Sequence, residues 1–176
     1  ALHLPRVALI TQSERVLTNA EAALVTALVQ RRLDGEPIAY ITGEREFFGL
    51  SFRVTPAVLI PRPDTELIVE LALERAAPHS RLLDMGTGSG AIAVAVASNR
   101  LDLDVTALDV SEAALAIARE NAASNDARVR FLQSDWFAAL GAERFGVIAS
   151  NPPYIVAGDR HLAEGDLRFE PIDALT

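Results

Sequence analysis

Arg81-Leu82-Leu83-Asp84-Met85-Gly86-Thr87-Gly88-Ser89-Gly90-Ala91 is the stretch that decides the fold. A short apolar run up to Met85 reads as a buried strand, three alternating glycines as a turn, and the alanine- and valine-rich Ala91–Ser98 as a helix. The same rhythm continues downstream. Asp104–Asp109 reads as a second strand, Glu112–Ala123 as a helix, Arg128–Leu132 as a third strand and Phe145–Ser150 as a fourth. Strands that alternate with helices build βαβ units and a parallel sheet, so the fold class is α/β. After Pro153 the chain reads as irregular structure.

Upstream the pattern differs. Thr18 and Glu21 form a capping box opening a helix to Leu33, with Ala22, Leu24, Val25, Leu28 and Val29 on an apolar stripe. Glu46-Phe47-Phe48 and Ser51-Phe52-Arg53-Val54, flanking Gly49-Leu50, predict a hairpin. Asp64 is placed to open a second helix running to about Ala77. The expected division is therefore a helical and hairpin segment over 1–60 and a Rossmann-like domain over 61–176.

Composition removes several chemistries. The 176 residues hold no cysteine, and all 16 basic residues are arginine. Disulfides, zinc-thiolate sites, a thiol nucleophile and every lysine-based mechanism are excluded. His3, His79 and His161 lie far apart, which weakens a histidine-rich metal site without excluding one, and His79 and His161 receive no role. A net charge of −8 opposes broad attraction to phosphate backbones, so no direct nucleic-acid binding is expected. No apolar run approaches the roughly 18 residues of a membrane span, and no signal peptide opens the chain. A cytoplasmic location without membrane contact is the expectation. Glu70, Glu74 and Arg75 read as a solvated helix face.

The strand-to-helix glycine turn brings backbone N–H groups and a helix N-terminus close to a ligand. Asp109 ends the next strand, 19 residues after Gly90, where a carboxylate can accept both hydroxyls of a ribose. Together they describe an adenosine-type cofactor site. Gly86, Gly88 and Gly90 suit S-adenosylmethionine, while Gly86, Gly88 and Ala91 also satisfy the permissive dinucleotide fingerprint.

Asn151-Pro152-Pro153-Tyr154 follows directly on the fourth strand, at the carboxyl end where open α/β sheets bind ligands. Two prolines remove two N–H donors and stiffen the backbone around their carbonyls. Asn151 adds a side-chain acceptor and Tyr154 a flat face. Two acceptors and a ring suit a planar NH₂ group, which dinucleotide chemistry does not require.

On these residues, with Ser134-Asp135-Trp136, the chain resembles methyltransferases that modify planar nitrogens. Tyr40–Leu50, Val58-Leu59-Ile60-Pro61-Arg62-Pro63-Asp64-Thr65-Glu66 and Asp166-Leu167-Arg168-Phe169-Glu170-Pro171 narrow the resemblance to the HemK/PrmC family. These are N5-glutamine methyltransferases of peptide chain release factors. The resemblance implies a Rossmann-like methyltransferase fold that uses S-adenosyl-L-methionine and releases S-adenosyl-L-homocysteine. Its partners would be class I release factors, methylated on the glutamine of their Gly-Gly-Gln loop.

By that resemblance Asp84, Met85, Gly86, Thr87 and Gly88 cradle the methionine and ribose part of the cofactor, and Asp109 holds the ribose. Asp135 and Trp136 border the adenine. Asn151 touches both cofactor and substrate, and Asn151, Pro152, Pro153 and Tyr154 bind the glutamine. Asn151, Pro152 and Tyr154 are the catalytic candidates, with no metal. Phe48 and Pro61–Glu66 either cover the cofactor or are a packed hairpin and a helix cap. Three other readings stand beside this one: a nucleic-acid adenine or guanine amino-methyltransferase, a ribosomal-protein glutamine methyltransferase, and a non-catalytic adenosyl-ligand module. Such sheets have seven strands and only four are legible here. The expectation is an incomplete sheet, part of a longer chain, with its fourth strand left at an edge.

Overall fold

The computed structural model describes Leu2 and residues 4–176; His3 lies outside them. Four strands form a parallel sheet: β3 (Arg81–Met85), β4 (Asp104–Asp109), β5 (Val129–Gln133) and β6 (Val147–Ser150). They follow the hairpin β1 (Glu44–Phe47) and β2 (Leu50–Arg53). The order across the sheet is β5-β4-β3-β6. The chain steps outward from β3 to β5, then returns to the other side of β3. The topological switch point therefore lies between β3 and β6, where open α/β sheets take ligands. Among the described residues β6 lies at one edge of the sheet.

Register aligns the chemistry. Met85 pairs with Leu108 on one side and Ser150 on the other, while Asp109 pairs with Gln133. The next residues, Gly86, Asn151 and Ser134, leave the sheet along one edge, beside the end of β4 at Asp109.

Alternate residues of β3 face opposite layers, as strand geometry requires. Leu82 joins a core with α4 (Glu66–Arg75), α5 (Ala91–Asn99) and α6 (Glu112–Ser124). Leu83 and Met85 pack with Leu108 and Leu140 on the other face. Every residue of α5 from Ala91 to Ala97 is buried, which explains why the helix is apolar all round. Phe47 and Phe52 of the hairpin, edge-to-face at 6.0 Å between centroids, enter the same core.

Helix α1 (Arg6–Thr11), not foreseen from the sequence, precedes α2 (Asn19–Leu33), whose capping box forms as expected. The apolar stripe of α2 is not buried: Leu24, Val29 and Leu33 are exposed. A short α3 (Ile38–Thr42) leads into the hairpin. Its turn falls one residue earlier than expected, at Phe48 and Gly49, with φ of 52° and 76°. Two successive positive φ values match the right-handed twist of the flanking strands. Asp64 caps no helix. Pro63 starts a 3-10 turn over Pro63–Thr65, and α4 follows from Glu66 without a side-chain cap. Proline at the first helical position already fixes φ and lacks the N–H a cap would satisfy. Beyond Pro153 there are only short 3-10 turns.

Candidate functional site

A cleft of about 420 Å³ runs along the carboxyl ends of β3, β4 and β6. It is lined by Met85, Gly86, Thr87, Gly88 and Ser89 of the glycine loop, by Asp109, by Asp135 and Trp136, and by Asn151, Pro152 and Pro153. Residues separated by more than sixty positions thus meet on one wall, because register brings the three strand ends level.

The loop is held from below. Gly86 and Thr87 donate their N–H groups to the Leu108 carbonyl at 2.9 and 3.0 Å. Gly86, Gly88 and Gly90 have φ of 71°, 55° and 84°, conformations that glycine adopts without steric cost. At Gly90 a Cβ would also come within 3.2 Å of the Ala118 Cβ, so this glycine lets α5 start against α6. Asp109 accepts the Gly88 N–H and the Ser111 N–H, each at 2.9 Å and each on a different oxygen. Its carboxylate is thus fixed at the cleft with further lone pairs available.

Asp84 lies beneath the loop, fully buried and outside the cleft lining. One oxygen accepts the Thr87 hydroxyl at 2.6 Å and the Ala93 N–H at 3.1 Å; the other has no partner. Loss of solvent pushes its carboxyl up to about 6. Asp84 therefore braces the loop against α5 from behind.

Trp136 lines the cleft, half exposed, in the left-handed region at φ 46°. Bulky residues rarely adopt that conformation. The Ser134 hydroxyl holds it there, donating to the Trp136 carbonyl at 2.8 Å and accepting the Ala139 N–H at 3.0 Å. Asn151 donates its side-chain N–H to the Thr65 hydroxyl at 3.3 Å, which leaves its amide oxygen unpaired among the described residues. Tyr154 is 82% exposed and outside the lining. Pro61, Arg62 and Thr65 do line the cleft, whereas Phe48 does not and packs half-buried against the core.

Two residues that brace the cleft from behind had not been singled out. Asn121, buried on α6, donates to the carbonyls of Ser89 and Arg53 and accepts the Arg53 N–H. Its signal was a polar residue in phase with Ala114, Ile117, Ala118 and Ala122 on the buried helix face. Glu170, its carboxylate sealed from solvent, pairs with Arg62 and accepts the Ile60 N–H at 3.1 Å. Burial of the Tyr40 phenol, with the Glu170 charge adding to it, raises that phenol well above its usual range. Nothing local in the sequence marked the burial of Glu170. Among the described residues no cluster of acidic or histidine side chains is arranged for a metal, and no helix is long and apolar enough to cross a membrane.

Residues 63–165 match the methyltransferase small domain and residues 1–43 the PrmC N-terminal domain. A Burkholderia pseudomallei protein named release factor glutamine methyltransferase is 56% identical over 187 residues, covering 100% of this chain and 65% of its own length. The Escherichia coli protein of that name is 51% identical over 164 residues, covering 92% of this chain and 59% of its own. The chain thus spans about three-fifths of the length of these relatives. Among solved structures, a T. thermophilus 16S rRNA methyltransferase in complex with AdoMet and guanosine superposes with a TM-score of 0.56 at 27% identity, over 65% of this chain and 33% of its own. The architecture is the Rossmann-like methyltransferase fold. With the family match extending over residues 63–165, more than half of its length, the chain belongs to the methyltransferase small domain family.

Proposed function

We propose that this chain binds S-adenosyl-L-methionine in the cleft and directs its methyl group to the side-chain amide nitrogen of a glutamine, in the Gly-Gly-Gln loop of class I release factors in the cytoplasm. The observation that carries the reading is the meeting of the glycine loop, Asp109 and Asn151-Pro152-Pro153 on one cleft. A relative that matches the whole of this chain is named release factor glutamine methyltransferase.

The residues fit an adenosyl group. The volume is in the range of small-molecule sites. Met85, Leu108, Ala114 and Trp136 offer apolar area, Asp109 a fixed acceptor for hydroxyls, and the glycine loop an approach free of side chains. When bound, the cofactor supplies an electrophilic methyl group on a sulfonium and leaves as S-adenosyl-L-homocysteine.

An amide nitrogen is a weak nucleophile because its lone pair is delocalised into the carbonyl. The Asn151 side-chain oxygen and the Pro152 carbonyl accept the two N–H bonds of the substrate amide. They orient the nitrogen and set negative dipoles where positive charge develops. The prolines keep the Pro152 carbonyl from reorienting, so much of the rate gain is positioning. Tyr154, exposed next to Pro153, gives the substrate amide a flat face that excludes water once a partner's peptide lies against it. Once the nitrogen has gained charge its N–H is acidic enough to give up the proton to water, without a strong base.

The test is transfer of labelled methyl from S-adenosyl-L-methionine into purified release factor, rRNA and DNA by the full-length protein. Label on the Gly-Gly-Gln glutamine alone is the expected result. Label on nucleic acid instead overturns the substrate, and no label on any of the three overturns the reading.

A further inference from the structure

Arg62 is the one cation among the described residues that line the cleft, where Asp109, Asp135 and Asp173 also stand. One of its terminal nitrogens donates to Glu170, whose carboxylate is sealed from solvent and accepts the Ile60 N–H with its other oxygen. The guanidinium is thereby clamped to the wall it belongs to. Its remaining N–H groups have no partner among the described residues, and the side chain is 35% accessible.

A guanidinium carries five donors in a rigid fork that matches a carboxylate. Glu170 uses one and fixes the plane of the rest, so the fork meets a ligand without reordering a long side chain. Glu170 also cancels the formal charge of Arg62. What the pair offers the cleft is directed donors rather than net positive potential, and such donors favour a small anionic group brought within hydrogen-bond reach.

We propose that Arg62 binds the α-carboxylate at the amino-acid end of the adenosyl ligand, with Glu170 as its positioning residue. This rests on the adenosyl reading of the cleft. Arg62 then sets a specificity: ligands that keep the carboxylate are preferred over otherwise identical ligands that lack it. Ile60 and Arg62 precede the 3-10 turn at Pro63, so the same clamp ties the Asp166–Pro171 segment to the cleft wall.

Calorimetry on the full-length protein, with S-adenosyl-L-methionine and decarboxylated S-adenosylmethionine, separates the roles. Removing Arg62 alone would bury an unpaired carboxylate, so the informative variant is the double change R62Q/E170Q. It keeps a hydrogen-bonded amide pair and an acceptor for the Ile60 N–H while deleting the fork. Its affinity for S-adenosyl-L-methionine is expected to fall about tenfold or more, with affinity for the decarboxylated ligand unchanged. Glu170→Gln keeps one acceptor for the Ile60 N–H but turns an NH2 group toward Arg62, so the fork loses its fixed plane; affinity for S-adenosyl-L-methionine is expected to fall, with affinity for the decarboxylated ligand unchanged. Equal losses for both ligands in the double variant, or no loss for either, overturn the assignment of Arg62 and leave the adenosyl reading standing. A wild-type protein that binds neither ligand overturns that reading, and this inference with it.

Discussion

The side-chain amide of Asn121 donates to the carbonyl of Ser89 at 2.8 Å, from the buried face of α6 to the last turn of the glycine loop. The same amide clasps Arg53 of β2, donating to its carbonyl at 3.0 Å and accepting its N–H at 2.7 Å. One side chain thus joins hairpin, helix and ligand loop.

Asn121→Ala leaves a buried carbonyl at Ser89 and both polar groups of Arg53 without this partner. Each such orphan costs about 1–3 kcal/mol, so stability should fall by about 3 kcal/mol in total. Urea unfolding should show a lower midpoint at unchanged m. Asn121→Asp should fare no better, because a carboxylate cannot donate to two carbonyls. A loss below about 0.5 kcal/mol, the range of ordinary surface changes, would show that the clasp contributes nothing.

Short-range patterns made most of this fold legible. The glycine punctuation after Met85 and the strand–helix alternation gave a parallel sheet, and the position of Asp109 and Asn151 after strands put both at its carboxyl edge. What stayed hidden depends on partners far along the chain. Glu170 is an ordinary charged residue until Arg62 and Ile60, more than a hundred positions earlier, meet it. Asp84 illustrates the converse. Its place in the glycine motif suggested ligand contact, yet strand alternation turns it beneath the loop toward α5. The hairpin turn shifted by one residue because Phe48 accepts a left-handed conformation that sequence alone assigns to glycine.

Asp109→Ala should weaken S-adenosyl-L-methionine binding about ten- to a hundredfold, the loss expected for charge-assisted hydrogen bonds. Part of that loss is indirect, since Asp109 also holds the Gly88 N–H. Asp109→Asn retains an acceptor and should recover part of the affinity. Calorimetry with thermal unfolding in parallel checks this. A destabilised Asp109→Ala protein of unaltered affinity would confine Asp109 to bracing the loop.

Asn151→Ala should separate binding from transfer. Among the described residues the side chain's one partner is the Thr65 hydroxyl at 3.3 Å, a long bond whose loss disturbs the cleft little. Cofactor affinity should change only modestly, while methyl transfer to release factor falls about a hundred- to a thousandfold, as when a pre-organised dipole is removed from a transition state. Unchanged single-turnover transfer would remove Asn151 from the reaction.

The buried carboxyl of Asp84 should leave a signature in stability against pH. Its folded value is raised to about 6 by loss of solvent, against an ordinary value of 3.8, with the nearby charge of Asp109 adding to the shift. The folded state therefore prefers the protonated acid. That contribution is fully present below about pH 4, is lost as pH rises to about 6, and changes no further above it. Asp84→Asn keeps an oxygen for the Thr87 hydroxyl and the Ala93 N–H, and replaces the unpartnered, ionisable oxygen with a neutral group. Stability relative to wild type should thus rise between pH 4 and 6, then stay parallel at higher pH. Chemical denaturation at intervals across pH 3.5–7.5 measures the difference curve, in which groups common to both proteins cancel. A flat difference curve would mean that Asp84 keeps its ordinary affinity for protons despite its burial.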